Sequence, residues 1–156
     1  MTRFIQKFFL LILLFTFINA RSQSIDKAKN IISLDFGLVI FSGAAAAGIG
    51  INYERMINDY ISIRAGINIG IIAASDGSIG IGLPVTVNYM TRAKNKFELG
   101  LGGGPRLDLY DYNIKLLPAL KLGYRYQPDE KGMFYRFGLD LPANFYLSTF
   151  GIGYHF

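Results

Sequence analysis

The sequence contains no cysteine and no tryptophan, and it has a single histidine, His155, among its 156 residues. Without cysteine there is no disulfide, no thiolate metal ligand and no lipid-modified N-terminal cysteine. Charged residues make up only 17% of the chain. Three of the 16 basic residues lie in the first 22 positions, which hold no acid, so the remainder carries a net charge of +2. We therefore expect no nucleic-acid partner.

A long apolar run occurs only near the N-terminus, where residues 8–17 read FFLLILLFTF. The basic residues Arg3 and Lys7 precede this run, and the small and polar stretch INARSQS follows it. This order predicts a cleaved secretory signal peptide over residues 1–22, with cleavage after Ala20 as the alternative. An uncleaved anchor helix is disfavoured, because spanning a bilayer takes about 20 apolar residues.

The rest of the chain alternates apolar residues with small or polar ones, the two-residue period of a β-strand. The clearest case runs from residue 61 to 71, where the apolar positions are Ile61, Ile63, Ala65, Ile67, Ile69 and Ile71. Eight such segments follow residue 30. Polar turns at 56–59, 91–96 and 127–132 join some of them, and loops at 42–46, 73–78, 107–113 and 142–146 join the others.

Strands of about ten residues, with turns on one side and loops on the other, are typical of membrane β-barrels. The sequence therefore predicts an all-β fold, an eight-stranded antiparallel up-and-down transmembrane β-barrel over residues 31–156. The signal peptide and a short periplasmic segment, residues 23–30, would precede it. Because the strand number is even, both chain ends and the three polar turns should share one side of the barrel.

The alternation alone also fits a soluble barrel with its apolar face inward. Two observations favour an outward apolar face. The polar face is rich in glycine, serine and asparagine, which suit the crowded lumen of an eight-stranded barrel. Aromatic residues gather at the strand ends nearest the polar turns, as in the interfacial girdle of a membrane barrel. The girdle set is Tyr53, Tyr60, Tyr89, Phe97, Tyr124, Tyr126, Tyr135, Tyr154 and Phe156.

Eight ionisable residues fall on the face predicted to line the lumen. They are Asp35, Glu54, Arg64, Glu98, Lys121, Arg125, Arg136 and Asp140. Buried charges must pair and form hydrogen bonds, because an isolated buried charge is very costly. We expect a salt-bridge network that fills the lumen, and a proton or ion path is the alternative. If Asn52 faces Arg64 across the first polar turn, Glu54 is a diagonal neighbour of Arg64.

The remaining candidates give weaker signals. His155 should point into the lumen as a filler rather than act as a general base. Asp108 and Asp111 could hold a divalent cation in an outer loop, although a solvated turn explains them more simply. Pro84 and Pro118 fall inside predicted strands and predict a bulge or a break at each position. We expect no catalytic, cofactor-binding or metal-binding residues.

Several segments resemble the small outer-membrane β-barrel proteins of Gram-negative bacteria, the OmpA/OmpX-type group. The segments are NYER (52–55), LPVTVNY (83–89), FELGLG (97–102), GYRY (123–126) and GIGYHF (151–156). The resemblance implies location in the cell outer membrane and contact with its lipids. It also implies that the barrel-assembly machinery reads the final strand, with Phe156 as the terminal aromatic and Tyr154 and Ile152 on the same face.

Three functions are compatible with this fold. The favoured one is a non-catalytic structural or surface-interaction protein, a monomer whose outer loops meet an unknown surface ligand. A narrow pore or transporter for small solutes is the alternative, although eight strands leave little open lumen. A membrane-embedded enzyme is disfavoured, because the outer rim has no histidine.

Overall fold

A computed structural model describes residues 29–41, 44–73, 78–92, 94–128, 131–142 and 148–156. The predicted signal peptide and residues 23–28 lie outside the described residues. Within these ranges the strands are β1 (Asn30–Phe41), β2 (Ala44–Met56), β3 (Ile61–Ala73), β4 (Ser78–Gly82), β5 (Val85–Met90), β6 (Asn95–Asp108), β7 (Asn113–Tyr126), β8 (Gly132–Pro142) and β9 (Ser148–His155). None of the described residues belongs to a helix long and apolar enough to cross a bilayer.

The strands form a closed antiparallel ring. β1 pairs with both β2 and β9, which closes the ring. Consecutive strands pair with each other except β4 and β5. β4 and β5 both lie between β3 and β6 in one continuous register, with Asn68 opposite Gly82 and Ala65 opposite Val85. They are therefore two segments of one barrel strand. The predicted all-β, up-and-down barrel of eight strands is confirmed.

Pro84 explains the interruption between β4 and β5. Its carbonyl oxygen accepts a hydrogen bond from the Gly66 nitrogen at 3.1 Å, but proline has no N–H to return one. The neighbouring strand approaches closely at this point, since a Cβ atom on Gly102 or Gly104 would collide with backbone on β5 or in the 83–84 link. The break predicted at Pro84 is confirmed, and the register continues across it.

The prediction of a bulge or a break at Pro118 is wrong, because β7 runs through this residue with an unbroken register against β6. Pro118 lies opposite Gly103 of β6. The Leu83 nitrogen donates a hydrogen bond to the Pro105 carbonyl oxygen. Because successive residues of a strand direct their backbone hydrogen bonds to opposite sides, the odd-numbered residues of β6, including Gly103, bond toward β5. Pro118 therefore turns its nitrogen away from β6, and no hydrogen bond of that ladder is lost.

The connections differ in detail from the predicted ones. β2 begins at Ala44, and the β6–β7 hairpin closes through a turn at 109–112, so two predicted loops are shorter than expected. The first polar turn occupies residues 57–60, where the Asn58 side-chain oxygen accepts hydrogen bonds from the Tyr60 and Ile61 nitrogens at 2.8 Å each. This turn sets Glu54 opposite Arg64, so the register expected for Asn52 is wrong by two residues.

The barrel has its apolar side chains outside and its polar side chains inside. Isoleucine, leucine and valine cover the outer face; Ile51 is 63% exposed and Leu101 is 60% exposed. We call the end with residues 57–60, 91–94 and 127–131 the turn end, and the opposite end the loop end. All nine aromatic residues predicted for the girdle are exposed at the turn end. Tyr60 stacks on Tyr89 with ring centroids 6.4 Å apart.

Candidate functional site

The polar interior is the candidate functional site. The alternation of six strands directs all eight predicted charged residues into it, and each of the eight is buried. Four carboxylates face three arginines and one lysine, so the set is neutral in formal charge. Each of the eight side chains takes part in at least one ion pair.

Four of these residues form one connected group, which we call the charge quartet: Glu54, Glu98, Arg125 and Arg136. Arg125 donates to both carboxylate oxygens of Glu54, at 2.9 and 2.7 Å, and its Nε donates to Glu98 at 3.0 Å. Arg136 pairs with Glu54 at 3.2 Å and with Glu98 at 3.5 Å. The bidentate, charge-assisted contact between Arg125 and Glu54 is the strong form of side-chain hydrogen bond.

The charge quartet bridges the lumen from wall to wall. Glu54 lies on β2, and Arg125 lies on β7, four places away in the eight-membered ring. The Ser62 hydroxyl donates a further hydrogen bond to Glu54 at 2.5 Å. The carboxylate therefore has the partners that a fully buried charge requires. A solute following the barrel axis would meet this group across its path.

Two further pairs line the lumen on the loop-end side of the quartet. Arg64 binds Asp35 of β1 rather than Glu54, although Glu54 is its cross-strand partner. Lys121 binds Asp140 with 2.5 Å between Nζ and the carboxylate oxygen. Lys121 and Asp140 lie on adjacent strands, and Arg64 and Asp35 lie on strands separated by β2, whereas the quartet joins opposite walls.

An apolar cluster fills the lumen at the turn end, and it was not predicted from the sequence. We call Ile31, Met56, Met90 and Phe134 the apolar floor. The Phe134 ring contacts both arginines of the quartet, with each guanidinium carbon 5.3 Å from the ring centroid. The position of each residue in its strand's alternation indicates that its side chain points inward. All four occupy inward positions at strand ends, as Ile31 does two residues before Ser33.

His155 lies among the inward-facing residues at this end and is 3% exposed. Its ring nitrogens are 3.4 and 3.5 Å from the side-chain nitrogen of Gln127. The oxygen of Gln127 in turn accepts a hydrogen bond from Arg125 at 3.2 Å. The side-chain amide of Gln127 therefore links His155 to Arg125 of the quartet, as in a packed interior.

Small residues leave room for these polar side chains. Asn52 occupies the space that a Cβ on Gly66 would need, and Asn88 does the same at Gly100. Asp35 fills the corresponding space at Gly151. Gly66, Gly100 and Gly151 are therefore matched to polar side chains on adjacent strands. The crowding indicates a packed lumen in this part of the barrel.

The predicted assembly residues lie on the outer face of β9, where Tyr154 and Phe156 are exposed and Ile152 is half-buried. The backbone of Phe156 closes the ring against β1. Its nitrogen donates to Asn30 at 2.8 Å, and its oxygen accepts from Asn30 at 3.0 Å and from Lys29 at 3.2 Å. The terminal residue is thus both a closing element and an exposed aromatic.

Asp108 has a structural role in the β6–β7 hairpin. Asp108 accepts a hydrogen bond from the Tyr110 nitrogen at 3.0 Å, which stabilises the 109–112 turn. In the same turn, Tyr112 has a positive φ of 50°. Within the part of the chain that the structure describes, no three histidine, aspartate or glutamate side chains form a group that could hold a metal ion.

No family model matches the sequence, and no curated protein matches it. The barrel is similar to a solved structure described as "De novo design of transmembrane beta-barrels". The two are 12% identical, the similarity covers 85% of this chain and 97% of that chain, and the TM-score is 0.49. Our assignment rests instead on the closed ring and its register, which define an eight-stranded antiparallel β-barrel.

Proposed function

We propose that this chain is an integral outer-membrane β-barrel with a side-chain-filled polar lumen and a non-catalytic, structural or surface-interaction role. The observation that carries the proposal is the inverted distribution of side chains. A continuous apolar face exposed to water would be costly at about 25 cal/mol per Å², and soluble monomers rarely expose patches above a few hundred Å². A bilayer removes that cost, and the nine turn-end aromatics would lie at its interface.

The packing of the interior favours a lumen blocked by side chains over the alternative of a narrow pore. The charge quartet crosses the lumen, and the apolar floor lies between it and the turn end. A water-filled channel would need a continuous polar path, but Ile31, Met56, Met90 and Phe134 pack together in the described part of the lumen. Any interaction role would then belong to the outer surface.

Among the described residues at the loop end, the β6–β7 hairpin is well suited to contact a partner. The tip of the hairpin and the loop-end part of β7 expose Tyr110, Tyr112, Ile114 and Leu116. The exposed fraction of these side chains ranges from 69% for Tyr110 to 83% for Tyr112. Exposed tyrosines combine apolar area with a hydrogen-bonding group, and they are enriched at protein interfaces. This supports a surface-interaction role at the loop end.

Reconstitution tests the proposal. Protein refolded into phosphatidylcholine vesicles should float with the lipid and should migrate differently on a gel before and after boiling. In a planar bilayer it should give no stable conductance steps. A protein that stays soluble without detergent would contradict the membrane assignment, and stable nanosiemens-scale openings would favour the pore instead.

Deleting Phe156 is expected to reduce membrane insertion far more than Tyr110→Ala does. The deletion removes the terminal aromatic and its hydrogen bonds to Asn30, whereas Tyr110 lies in an exposed turn. The measurement is the amount of folded protein in isolated outer membranes. Phe156→Ala serves as a second variant, because it keeps the backbone bonds. Equal membrane levels for all variants would remove Phe156 from the proposed assembly signal.

A further inference from the structure

A groove of about 520 Å³ runs along the outer wall where β1, β2 and β3 meet. We call it the β1–β3 groove. Its sides are apolar, and the residues that define it are Leu34, Ile51, Tyr53, Ala65, Ile67 and Ile69. Gly50 and Gly66 lie at its base. It is an indentation in the apolar outer face.

The groove arises from a small residue in a row of large ones. Ala65 is the outward residue between Ile63 and Ile67, and its cross-strand partners are Tyr53 and Val85. The Tyr53 hydroxyl donates to the Asn30 side chain at 2.7 Å, which fixes the aromatic wall. The Tyr53 ring, held by this hydrogen bond, therefore forms a fixed side of the gap at Ala65.

The length of the groove matches one leaflet. Its β2 wall extends from Ile49 to Tyr53, which at about 3.4 Å per residue is about 14 Å. The apolar band of a membrane barrel is about 25 Å tall. The groove thus reaches from near mid-band to the turn-end girdle, about the depth of one acyl chain.

Basic residues lie where the groove meets the girdle. Arg55 is the next outward residue of β2 after Tyr53, and it is exposed. Lys29 is also exposed, and its carbonyl accepts a hydrogen bond from the Met56 nitrogen at 2.7 Å. Asp59 in the adjoining turn reduces but does not cancel this positive charge. The polar end of the groove is therefore suited to a phosphate group.

We infer that the β1–β3 groove binds one acyl chain of an anionic glycerophospholipid whose phosphate contacts Arg55 and Lys29. This inference rests on the proposed membrane location and adds a ligand class to it. The apolar walls match the chain, and the two cations match the headgroup. A zwitterionic lipid offers the same chain but no net negative charge, so it should bind less tightly.

Native mass spectrometry of the full barrel released from detergent tests the inference. The probes are dimyristoylphosphatidylglycerol and dimyristoylphosphatidylcholine. The wild type should retain one phosphatidylglycerol molecule in preference to phosphatidylcholine. Arg55→Gln should weaken phosphatidylglycerol retention about five-fold, the effect of about 1 kcal/mol per basic residue near an anionic surface. Arg92→Gln makes the same charge change in another turn at the same end, and it should leave retention unchanged.

A second pair of variants tests the acyl chain. Ala65→Phe would fill the groove and should abolish preferential retention of either lipid. Val87→Phe enlarges an outward residue outside the groove and should have no effect. Equal retention of the two lipids by the wild type, or an Ala65→Phe variant that binds as the wild type does, would overturn the inference. So would a dimer mass that disappears with Ala65→Phe, because a second copy would then occupy the groove.

Flotation with phosphatidylcholine vesicles separates this inference from the proposed function. If the wild type floats but shows no lipid preference, the lipid site is wrong and the membrane barrel stands. If the wild type does not float, the membrane assignment itself fails. The groove variants keep the outer face apolar, so they should float in either case.

Discussion

Replacing Arg125 with methionine is expected to lower the free energy of unfolding by about 3–5 kcal/mol, the usual effect of removing one partner from a buried ion pair. Arg125 makes two hydrogen bonds to Glu54 and one to Glu98. Its loss leaves two buried carboxylates with Arg136 as the remaining cation of the quartet. Methionine keeps much of the side-chain volume, so the effect reports on charge. Urea unfolding of the vesicle-inserted protein, followed by circular dichroism, measures it.

Three further variants separate the charge effect from a general loss of packing. Arg92→Met removes an exposed cation and should change stability by no more than about 0.5 kcal/mol. Arg125→Lys keeps the charge but not the bidentate geometry, and it should fall between the wild type and Arg125→Met. Adding Glu54→Gln to Arg125→Met removes one stranded charge, so the double variant should be more stable than the single one. Additive losses would contradict the quartet as a coupled unit.

Leu101→Arg is expected to destabilise the inserted barrel by about 2–4 kcal/mol, the cost of arginine near the middle of the lipid-facing band. Leu101 is 60% exposed and lies between Val87 and Leu120 on the outer face. It is four residues from Phe97 of the girdle, or about 14 Å along the strand. Urea titration in vesicles measures the change, and flotation gives the inserted fraction.

The matched control is Asn95→Arg, which places the same side chain on the same strand at its exposed turn end. There the guanidinium would reach water and phosphate, so the expected change is about 0–1 kcal/mol. Comparing the two variants distinguishes an outer face surrounded by lipid from one surrounded by water. On a soluble barrel Leu101→Arg would be within about 0.5 kcal/mol of the wild type, and that result would contradict the membrane assignment.

The alternation was sufficient to predict the strands and which residues share a face. Side chains in a strand point to opposite sides in turn, so parity placed Glu54, Arg64 and Arg125 on the same face without knowledge of their partners. The glycine-rich inner face and the aromatic ends also indicated which face is outside. The same alternation places the residues of the apolar floor on the inner face, but it does not show that Phe134 and Met90 form an apolar cluster distinct from the polar residues around them.

The pairing of charges could not be predicted, because it depends on closure of the ring. Glu54 faces Arg64 across the first hairpin, yet its main partner is Arg125, 71 residues away. That contact exists because β2 and β7 lie on opposite walls of an eight-membered ring. A register set by Asn58 and the 57–60 turn decides which charges share a level. The register of this hairpin is encoded locally by the turn, but closure of the ring is not.

The two prolines show the same division. The sequence alone indicated that Pro84 and Pro118 each remove a hydrogen-bond donor from a strand. Only the tertiary structure decided the consequence, because it depends on which neighbour the missing N–H would have faced. At Pro84 the ladder is interrupted, while Pro118 turns its nitrogen away from β6. The sequence determined strands, faces and composition, and closure of the barrel determined the partners, because side chains distant in the chain meet only across a shared lumen.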